Sequence, residues 1–263
     1  MKLLMIGAGN MGGAMLRRWL EAGMGPRDVT VVSPSGRAMP EGVRVVSAVP
    51  EAGQGAYDVI LIGLKPQQLV ALRDGPLGGH APALLVSILA GVEEATLAPL
   101  CCAGAVVRAM PNLPVGIGKG VTALYSSTTD AAARDTVTAL MQPLGLVEWI
   151  DDEAQFDAVT ALAGCGPGFV FRFADALAQA GAALGLPADQ AARLALATLE
   201  GAAVMAAAAD VSPAVLADRV ASPGGSTRQG LNVLDRSDGL VALLTETLAA
   251  SARRNREMAA ETR

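Results

Sequence analysis

Gly7-Ala8-Gly9-Asn10-Met11-Gly12 is the stretch that decides the fold, because it sets three glycines at GxGxxG spacing directly after the apolar run Leu3–Ile6. In a strand–turn–helix the first glycine allows the tight turn, the second lets the backbone approach a diphosphate, and the third lets helix and strand pack closely. Amides at the helix start then point at the phosphates. The stretch therefore predicts a dinucleotide-binding βα unit. A plain βα turn, the alternative, would not need all three glycines.

The end of the second predicted strand indicates which dinucleotide is bound. A site that prefers NAD carries Asp or Glu roughly 20 residues after the glycines, where it holds the ribose hydroxyls. Here the strand ends in Val31-Val32-Ser33-Pro34-Ser35-Gly36-Arg37, without an acid. Ser33, Ser35 and Arg37 can hold a 2′-phosphate, which a carboxylate would repel, so NADPH is favoured over NADH. A simple turn formed by the Ser-Pro-Ser-Gly segment is the alternative.

The first part of the chain alternates short apolar runs with helix-like stretches. The runs are typical of strands buried on both faces of a parallel sheet. They are Leu3–Ile6, Val29–Val32, Val43–Val46, Val59–Gly63, Ala83–Leu89 and Ala105–Ala109. Two further strands are expected at Val121–Tyr125 and Leu146–Ile150. The helix-like stretches are Met11–Ala22, Gln67–Arg73, Glu93–Leu100 and Asp130–Met141. This alternation predicts an α/β Rossmann domain over residues 1–151.

The composition changes at Asp151-Asp152-Glu153, after which alanine-rich segments that favour helix dominate. These segments are Ala154–Gly164, Phe169–Leu184, Ala188–Ala209, Pro213–Ala221 and Gly239–Glu261. Asp152 fits an N-cap, and Pro187 stands where a helix can start. The predicted helix Ala188–Ala209 is apolar around much of its circumference, so we expect it to be buried on several sides. The sequence thus predicts an all-α domain over residues 152–263 that interlocks with a second protomer.

The overall composition is apolar but not that of a membrane protein. Hydrophobic residues make up 52% of the 263 residues and charged residues 17%, and the mean hydropathy is +0.41. No stretch supplies the roughly 18 continuous apolar residues of a membrane span, and no signal-peptide pattern is present. We therefore expect a cytoplasmic protein without a membrane partner, whose excess apolar surface lies in a subunit interface. The net charge of −5 and the lack of a basic stripe argue against nucleic-acid binding.

Cysteine and histidine usage points to a reducing compartment and to no metal. The three cysteines are Cys101, Cys102 and Cys165, an odd number with one adjacent pair, which does not fit a disulfide framework. The single histidine, His80, stands in a Gly/Pro-rich stretch and is expected on a surface loop. Neither CxxC nor HxxxH spacing occurs, so we expect no metal site.

A second glycine-rich segment, Ser222-Pro223-Gly224-Gly225-Ser226-Thr227, lies between apolar helices of the second half. Glycines followed by Ser-Thr at a helix start form a nest of main-chain donors, which binds an anion such as a carboxylate. The alternative is a helix–turn–helix corner in which Ser or Thr serves as an N-cap. The residues alone leave both interpretations open.

Five segments, through their residues and their order along the chain, together resemble those of the pyrroline-5-carboxylate reductases. Val220–Thr227 is similar to the family signature, and Gly7–Gly12 is similar to its GxGNMG opening. Gly63-Leu64-Lys65-Pro66 resembles its (A/G)VKP segment, and Arg108–Asn112 resembles its RxMPN. Gly164–Phe171 resembles its GSGPAYVF segment. The resemblance spans nearly the whole chain.

The resemblance implies a Rossmann domain followed by an all-helical dimerisation domain that interlocks with a second protomer, in some members within a decamer. It also implies reduction of 1-pyrroline-5-carboxylate, a cyclic imine, to L-proline by NAD(P)H. Some positions depart from the family pattern. The usual Thr-Thr is Ser226-Thr227, the usual Ser is Cys165, and the usual Ala-Tyr is Gly168-Phe169. The Asn that contacts the adenosine in many members has no counterpart near Pro50.

The resemblance and the local patterns together give the candidate site residues. Thr227 and Ser226 are the candidates for catalysis, with the Thr227 hydroxyl or a relayed water at the ring nitrogen. The substrate set is Val220, Ser222, Gly224, Gly225, Ser226, Thr227 and Asp210. Asp210 aligns with an acid that approaches the substrate amine in some members; a solvated loop acid is the alternative. The cofactor set is Ile6, Gly7, Gly9, Asn10, Met11, Gly12, Ser33, Ser35, Arg37, Gly63, Leu64, Lys65, Pro66, Ser87, Ala90, Met110, Pro111 and Asn112, with the nicotinamide along Ser87–Gly91 and Met110–Asn112.

The residue types fit an imine better than a ketone. Reduction of a ketone needs a strong proton donor, commonly His or Lys. The lysines are Lys2, Lys65 and Lys119, and none lies in the helical half. An imine nitrogen is protonated near neutral pH, and the iminium accepts hydride with little further help. A β-hydroxyacid dehydrogenase is the disfavoured alternative, because it needs a lysine in the second domain. A reductase of another cyclic imino acid and a non-catalytic NADP(H)-binding sensor stay open.

Overall fold

The computed structural model describes residues 1–53, 55–73 and 75–261. The chain forms two compact units. One contains Met1–Cys165 together with the end of the chain from Ser251, and the other contains Gly166–Ala250. The domain boundary between residues 151 and 152 stays a prediction.

The first unit is built on one eight-stranded sheet. Its strands are β1 (Leu3–Ile6), β2 (Val29–Val32), β3 (Arg44–Val46), β4 (Val59–Ile62), β5 (Leu84–Ser87), β6 (Ala105–Pro111), β7 (Gly120–Tyr125) and β8 (Gly145–Trp149). Their order is β3-β2-β1-β4-β5-β6-β7-β8. Every neighbouring pair is parallel except β6 with β7, which is antiparallel. The first six strands have the order of a dinucleotide-binding sheet, which confirms the predicted Rossmann fold.

The burial of the strands follows their place in the sheet. β1, β2, β4 and β5 are buried at every position, as the apolar runs predict. The prediction of a strand buried on both faces is wrong for the edge strand β3, and β8 at the other edge is also incompletely buried. Arg44 and Val45 of β3 are exposed, and β8 alternates between exposed and half-buried residues. An edge strand has a neighbour on one side only, so helices cover it less completely.

The helices of the first unit lie close to their predicted positions, but several are divided. They are α1 (Asn10–Glu21), α2 (Val70–Arg73), α3 (Glu94–Leu97), α4 (Ala131–Met141) and α5 (Phe156–Val159). Short 3₁₀ turns cover Pro26–Asp28, Pro66–Gln68, Ala98–Leu100, Leu113–Ile117, Gln142–Leu144 and Glu153–Gln155, and one π turn covers Thr160–Gly164. The stretch predicted as one helix from Glu93 to Leu100 changes to 3₁₀ at its end, where Pro99 has no N–H to donate.

The second unit contains only helices among its described elements. They are α6 (Gly166–Ala183), α7 (Ala188–Ala208), α8 (Pro213–Arg219), α9 (Ser226–Leu234) and the first part of α10 (Leu240–Glu261). Capping side chains set some of the helix starts in the chain. Ser212 Oγ accepts from the Val215 amide at 3.4 Å at the start of α8. Asp152 Oδ1 accepts from the Ala154 amide at 2.9 Å, which confirms its predicted capping role.

Helix α7 does not reach the predicted burial within one chain. Ala191 and Ala195 are its buried residues, whereas Leu196 is 62% and Met205 67% exposed. On length and composition alone, α7 also qualifies as a possible membrane span. An apolar helix that one chain leaves uncovered needs another surface to cover it.

His80 is a buried residue, contrary to the prediction of a surface position. It is 6% exposed, and its Nε2 lies 3.0 Å from the Pro50 carbonyl oxygen. The His80 carbonyl also accepts a hydrogen bond from the Cys102 amide at 3.1 Å. The histidine thus joins three loop segments beside the sheet, a role that local composition does not reveal.

Candidate cofactor and substrate sites

The three positions of the opening motif require glycine to different degrees and for different structural reasons. Gly7 adopts a φ of 87°, and a Cβ there would lie 2.9 Å from the Gly63 carbonyl oxygen. A Cβ on Gly12 would lie 3.2 Å from the Gly7 carbonyl oxygen. The protein itself therefore requires glycine at Gly7 and favours it at Gly12.

No contact within the described protein requires glycine at position 9. Gly9 adopts a φ of −66°, which suits any residue, and no atom lies within 4 Å of the position a Cβ would take. It is the N-cap of α1, yet no side chain caps this helix and its first turn contains no acid. The amides at the start of α1 thus have open space in front of them. A diphosphate fits this space, because it accepts from such amides and approaches closest where Cβ is missing.

The segment after β2 brings the three predicted 2′-phosphate residues together. Gly36, with a φ of 64°, donates from its amide to the Ser33 carbonyl at 3.0 Å, which closes a tight turn. The Ser33 hydroxyl accepts from the Arg37 amide at 3.3 Å and lies 3.5 Å from the Ser35 hydroxyl. Ser35 and Arg37 are exposed. The segment is therefore both a turn and a cluster of hydroxyls with a cation.

The ends of β1 and β4 lie side by side. The Gly63 amide donates to the Ile6 carbonyl at 2.9 Å. Ile6 is 2% exposed and its side chain packs in the core, so it fixes the end of β1. Lys65 is exposed, and its amide donates to Gln68 Oε1 at 3.0 Å. The Gly63–Pro66 segment is thus fixed in place and carries one exposed cation.

The two segments predicted along the nicotinamide follow β5 and end β6. Ser87 is 1% exposed, and its hydroxyl accepts from the Leu89 amide at 3.3 Å. Asn112 is also buried, and its side chain is used within the protein. Its Nδ2 donates to the Ala163 carbonyl at 3.0 Å, and its Oδ1 accepts from the Val121 amide at 2.8 Å. These contacts give Asn112 a role in shaping its segment that the sequence did not reveal.

In the second unit, the Ser222–Thr227 corner leads directly into α9. Gly224 has a φ of 74°, and the Gly225 amide donates to the Ser222 carbonyl at 3.0 Å. A Cβ on Gly225 would lie 2.6 Å from the Ser222 hydroxyl and 3.1 Å from the Ser222 carbonyl oxygen, so the turn favours glycine there. Gly225 is the N-cap, and no side chain caps α9. The first amides of α9 therefore have no partner within the helix, and the Ser226 and Thr227 hydroxyls stand exposed beside them.

The other predicted substrate residues lie at the edges of the same unit. Val220 directly follows α8 and is 66% exposed. Asp210 is exposed in the segment between α7 and α8. Asp218, which accepts from Arg228 at 2.6 Å, is a further acid on α8. That ion pair orients the first turn of α9 against α8, a contact that sequence spacing alone did not indicate.

Comparison with known proteins gives matches along the whole chain. Residues 153–258 match the family model described as pyrroline-5-carboxylate reductase dimerisation. Residues 2–91 match a model described as NADP oxidoreductase, coenzyme F420-dependent. A pyrroline-5-carboxylate reductase of Pseudomonas aeruginosa is 36% identical, over 98% of this chain and 97% of the relative. This chain belongs to the pyrroline-5-carboxylate reductase family.

Two solved structures agree with this membership. A pyrroline-5-carboxylate reductase of Coxiella burnetii superposes with a TM-score of 0.83 at 29% identity, with 97% of each chain covered. A Plasmodium falciparum pyrroline carboxylate reductase with NADP bound superposes with a TM-score of 0.82 at 26% identity, with 98% of each chain covered. The resemblance stated from the sequence and the predicted fold class are both confirmed.

One departure from the family pattern, Cys165, is hydrogen-bonded within the first unit. Cys165 replaces the Ser of the GSGPAYVF segment that this stretch resembles. Its Sγ accepts a hydrogen bond from the Ser251 hydroxyl at 3.2 Å. Both residues belong to the first unit. The Cys165 thiol therefore has a polar partner, and the Ser251 hydroxyl has an acceptor.

Proposed function

We propose that this protein reduces 1-pyrroline-5-carboxylate to L-proline with NADPH, the last step of proline biosynthesis. The match to a full-length pyrroline-5-carboxylate reductase over 98% of this chain carries the proposal, because it includes both the opening motif and the α9 corner. Each of these segments presents unpaired helix amides, the first fitting a diphosphate and the second a carboxylate.

The cofactor of this chain is NADP. Gly7, Gly9, Asn10, Met11 and Gly12 hold the diphosphate at the start of α1, and Ile6 contributes its main chain. Ser33, Ser35 and Arg37 hold the 2′-phosphate, and the missing acid at the end of β2 removes the group that would repel it. The relative from Plasmodium falciparum, whose structure contains NADP, supports this assignment.

The remaining cofactor residues orient the nicotinamide half. They are Gly63, Leu64, Lys65, Pro66, Ser87, Ala90, Met110, Pro111 and Asn112. Buried hydrogen bonds of Ser87 and Asn112 fix the main chain of their segments. Bound there, NADPH supplies the hydride. Rigid segments favour the reaction because orientation, more than acid strength, provides the acceleration.

The substrate is held by its carboxylate at the start of α9. The amides of Gly224, Gly225 and Ser226 donate to the carboxylate, the Gly225 amide sharing its hydrogen with the Ser222 carbonyl, and the Thr227 and Ser226 hydroxyls lie beside it. Ser222 shapes the turn through its carbonyl. Thr227 Oγ, directly or through a water, contacts the ring nitrogen and keeps the iminium proton in place. Val220 borders the ring, and Asp210 favours the cationic iminium through its charge.

The protein acts as a homodimer with interlocked helical domains, and we extend this to a decamer of five dimers. Support comes from the dimerisation model over residues 153–258 and from the exposed apolar side chains of α7. A second protomer that covers α7 explains its composition without a membrane. A cytoplasmic location follows for an enzyme whose substrate and product are small polar metabolites.

A spectrophotometric assay of NADPH oxidation tests the reaction. The purified protein should oxidise NADPH with 1-pyrroline-5-carboxylate and form L-proline, more efficiently than with NADH. A six-membered cyclic imino acid should react more slowly, and a keto acid should not react. Faster turnover of the larger ring would assign the enzyme to that imine instead. NADPH binding without turnover of any cyclic imine would identify a sensor and refute the proposal.

A further inference from the structure

Arg108 is a buried cation in the middle of the sheet. It lies on β6, is 5% exposed, and donates from Nη1 to Glu153 Oε1 at 2.8 Å. Its guanidinium carbon lies 4.1 Å from the centre of the Phe156 ring. Its Nε is buried without a partner among the described residues. The Glu153 side chain is 26% exposed, whereas the Arg108 guanidinium is buried with one donor unsatisfied. Burial of such a cation costs desolvation, so stability alone does not explain this arrangement.

Glu153 connects Arg108 to two further segments. Its Oε1 also accepts from the Glu94 amide at 2.8 Å, at the first residue of α3. The Glu94 carboxylate in turn accepts from the Ser127 amide and from its hydroxyl, both at 2.9 Å. We name these four residues, Arg108, Glu153, Glu94 and Ser127, the Arg108 clamp. Through two carboxylates, those of Glu153 and Glu94, the clamp connects β6, α3, the segment after β7 and the segment before α5.

The clamp residues adjoin, along the chain, both segments assigned to the nicotinamide. Met110–Asn112 continues the strand that contains Arg108, and Glu94 follows shortly after Gly91. Arg108 also pairs with Ser87 in the register of β5 and β6. We infer that Arg108 and Glu153 are positioning residues, which fix these two segments relative to each other and thereby place the nicotinamide for hydride transfer. The inference rests on the proposed function.

This role predicts an effect on one half of the cofactor only. The adenosine half is assigned to the start of α1 and to Ser33–Arg37, which do not include clamp residues. Misplacement of a reacting group by about 1 Å can lower the rate of the reaction by about 100-fold. Loosening the clamp should therefore weaken nicotinamide binding and slow hydride transfer, while the affinity for the 2′-phosphoadenosine part stays the same.

Three variants distinguish a role of the clamp in positioning the cofactor from a role in the stability of the fold. Glu153→Ala removes the shared acceptor but leaves the Arg108 charge buried, which is expected to destabilise the fold. The double variant Arg108→Met with Glu153→Gln removes both charges at similar volume, and its thermal midpoint should stay near that of the wild type. Arg134→Ala is the matched control, because Arg134 also stacks on an aromatic ring, at 3.8 Å from the centre of Trp149, away from the clamp.

The measurement is the ratio of the Kd for 2′,5′-ADP to the Kd for NADPH, together with the isotope effect of NADPH deuterated at the transferred position. In the double variant the ratio should fall about 10-fold and the isotope effect on kcat should rise, while the Kd for 2′,5′-ADP and the control stay unchanged. An unchanged ratio in the folded double variant, or equal weakening of both ligands, would overturn the inference. The ratio needs no imine, so failure of the proposed reaction would be seen separately, as absent turnover in the wild type.

Discussion

Gly7 and Gly63 face each other so closely that a Cβ on either one would lie 2.9 Å from the carbonyl oxygen of the other. The two residues belong to adjacent strand ends, since β1 and β4 are hydrogen-bonded neighbours. Glycine at both positions therefore allows the Gly7–Gly12 motif and the Gly63–Pro66 segment to lie against each other. This contact gives a structural reason for a glycine at the start of each of these two segments.

Substitution of the glycines should separate folding from cofactor binding. Gly7→Ala should destabilise the protein by about 2 kcal/mol or more, because a left-handed φ is unfavourable for alanine and its Cβ meets Gly63. Gly9→Ala should keep the wild-type Tm, since its Cβ meets no protein atom within 4 Å. It should nevertheless weaken NADPH binding by about 10-fold or more, because the methyl group occupies space beside the diphosphate. Calorimetry and NADPH titration measure both effects, and wild-type NADPH affinity in Gly9→Ala would contradict the assignment.

Arg37 should set the preference between the two nicotinamide cofactors. Arg37→Ala removes an exposed cation from the hydroxyl cluster after β2. A charge-assisted hydrogen bond contributes about 1.5–3 kcal/mol, so kcat/KM for NADPH should fall about 10-fold or more while that for NADH hardly changes. Arg44→Ala, which removes an exposed cation from the edge strand β3, is the control. An equal loss with both cofactors would place the 2′-phosphate elsewhere.

Thr227 should matter for turnover and not for the cofactor. Thr227→Ala removes the exposed hydroxyl in the first turn of α9 but keeps its amide. We expect kcat to fall about 10- to 100-fold, in the range of one lost hydrogen bond in the transition state, with an unchanged Kd for NADPH. Thr136→Ala on the exposed face of α4 is the matched control. Wild-type activity of Thr227→Ala would remove Thr227 from the catalytic residues.

The apolar surface of α7 should be a subunit contact. Met205→Glu places a charge at a residue that is 67% exposed in one chain, so a monomer would tolerate it and a dimer interface would not. Sedimentation should show dissociation of this variant. Val45→Glu, on the edge strand β3 at a residue that is 40% exposed, is the control and should keep the wild-type assembly. An unaltered oligomer for Met205→Glu would contradict the proposed interlocked dimer.

The cysteines should differ in their reaction with a thiol reagent. Burial raises the pKa of the Cys101 thiol, and the neighbouring Cys102 raises it further, whereas a hydrogen bond with the Ala103 main chain acts in the opposite direction. A raised pKa leaves less thiolate at any pH below it, so Cys101 should react at least about 10-fold more slowly than the exposed Cys102. Mass spectrometry after timed alkylation gives the order of reaction. Equal rates in the folded protein would contradict the described burial of Cys101.

The sequence predicted those features that depend on local pattern. The runs Leu3–Ile6 and Val29–Val32 coincide with β1 and β2, because a short apolar run bounded by turn residues specifies a buried strand. Features that depend on neighbours in space were not predictable in the same way. The exposure of β3 follows from its edge position, and the burial of His80 follows from its contact with Pro50. Sequence order alone specifies neither of these two neighbours.

The candidate site shows the same division. The glycine motifs, Ser33, Ser35 and Arg37 stand out because spacing and residue type point directly to phosphate binding. Arg108 and Glu153 are separated by 45 residues, and nothing in either segment signals that they form one ion pair. The internal use of the Asn112 side chain, through Ala163 and Val121, is likewise visible only in the folded chain.

The central claim is that the uncapped start of α9 holds the substrate carboxylate. A crystal structure of the protein with NADP and L-proline measures this directly. The account predicts that the proline carboxylate accepts hydrogen bonds from the amides of Gly224, Gly225 and Ser226, with the Gly225 amide shared with the Ser222 carbonyl. A carboxylate bound at any other donors would contradict it.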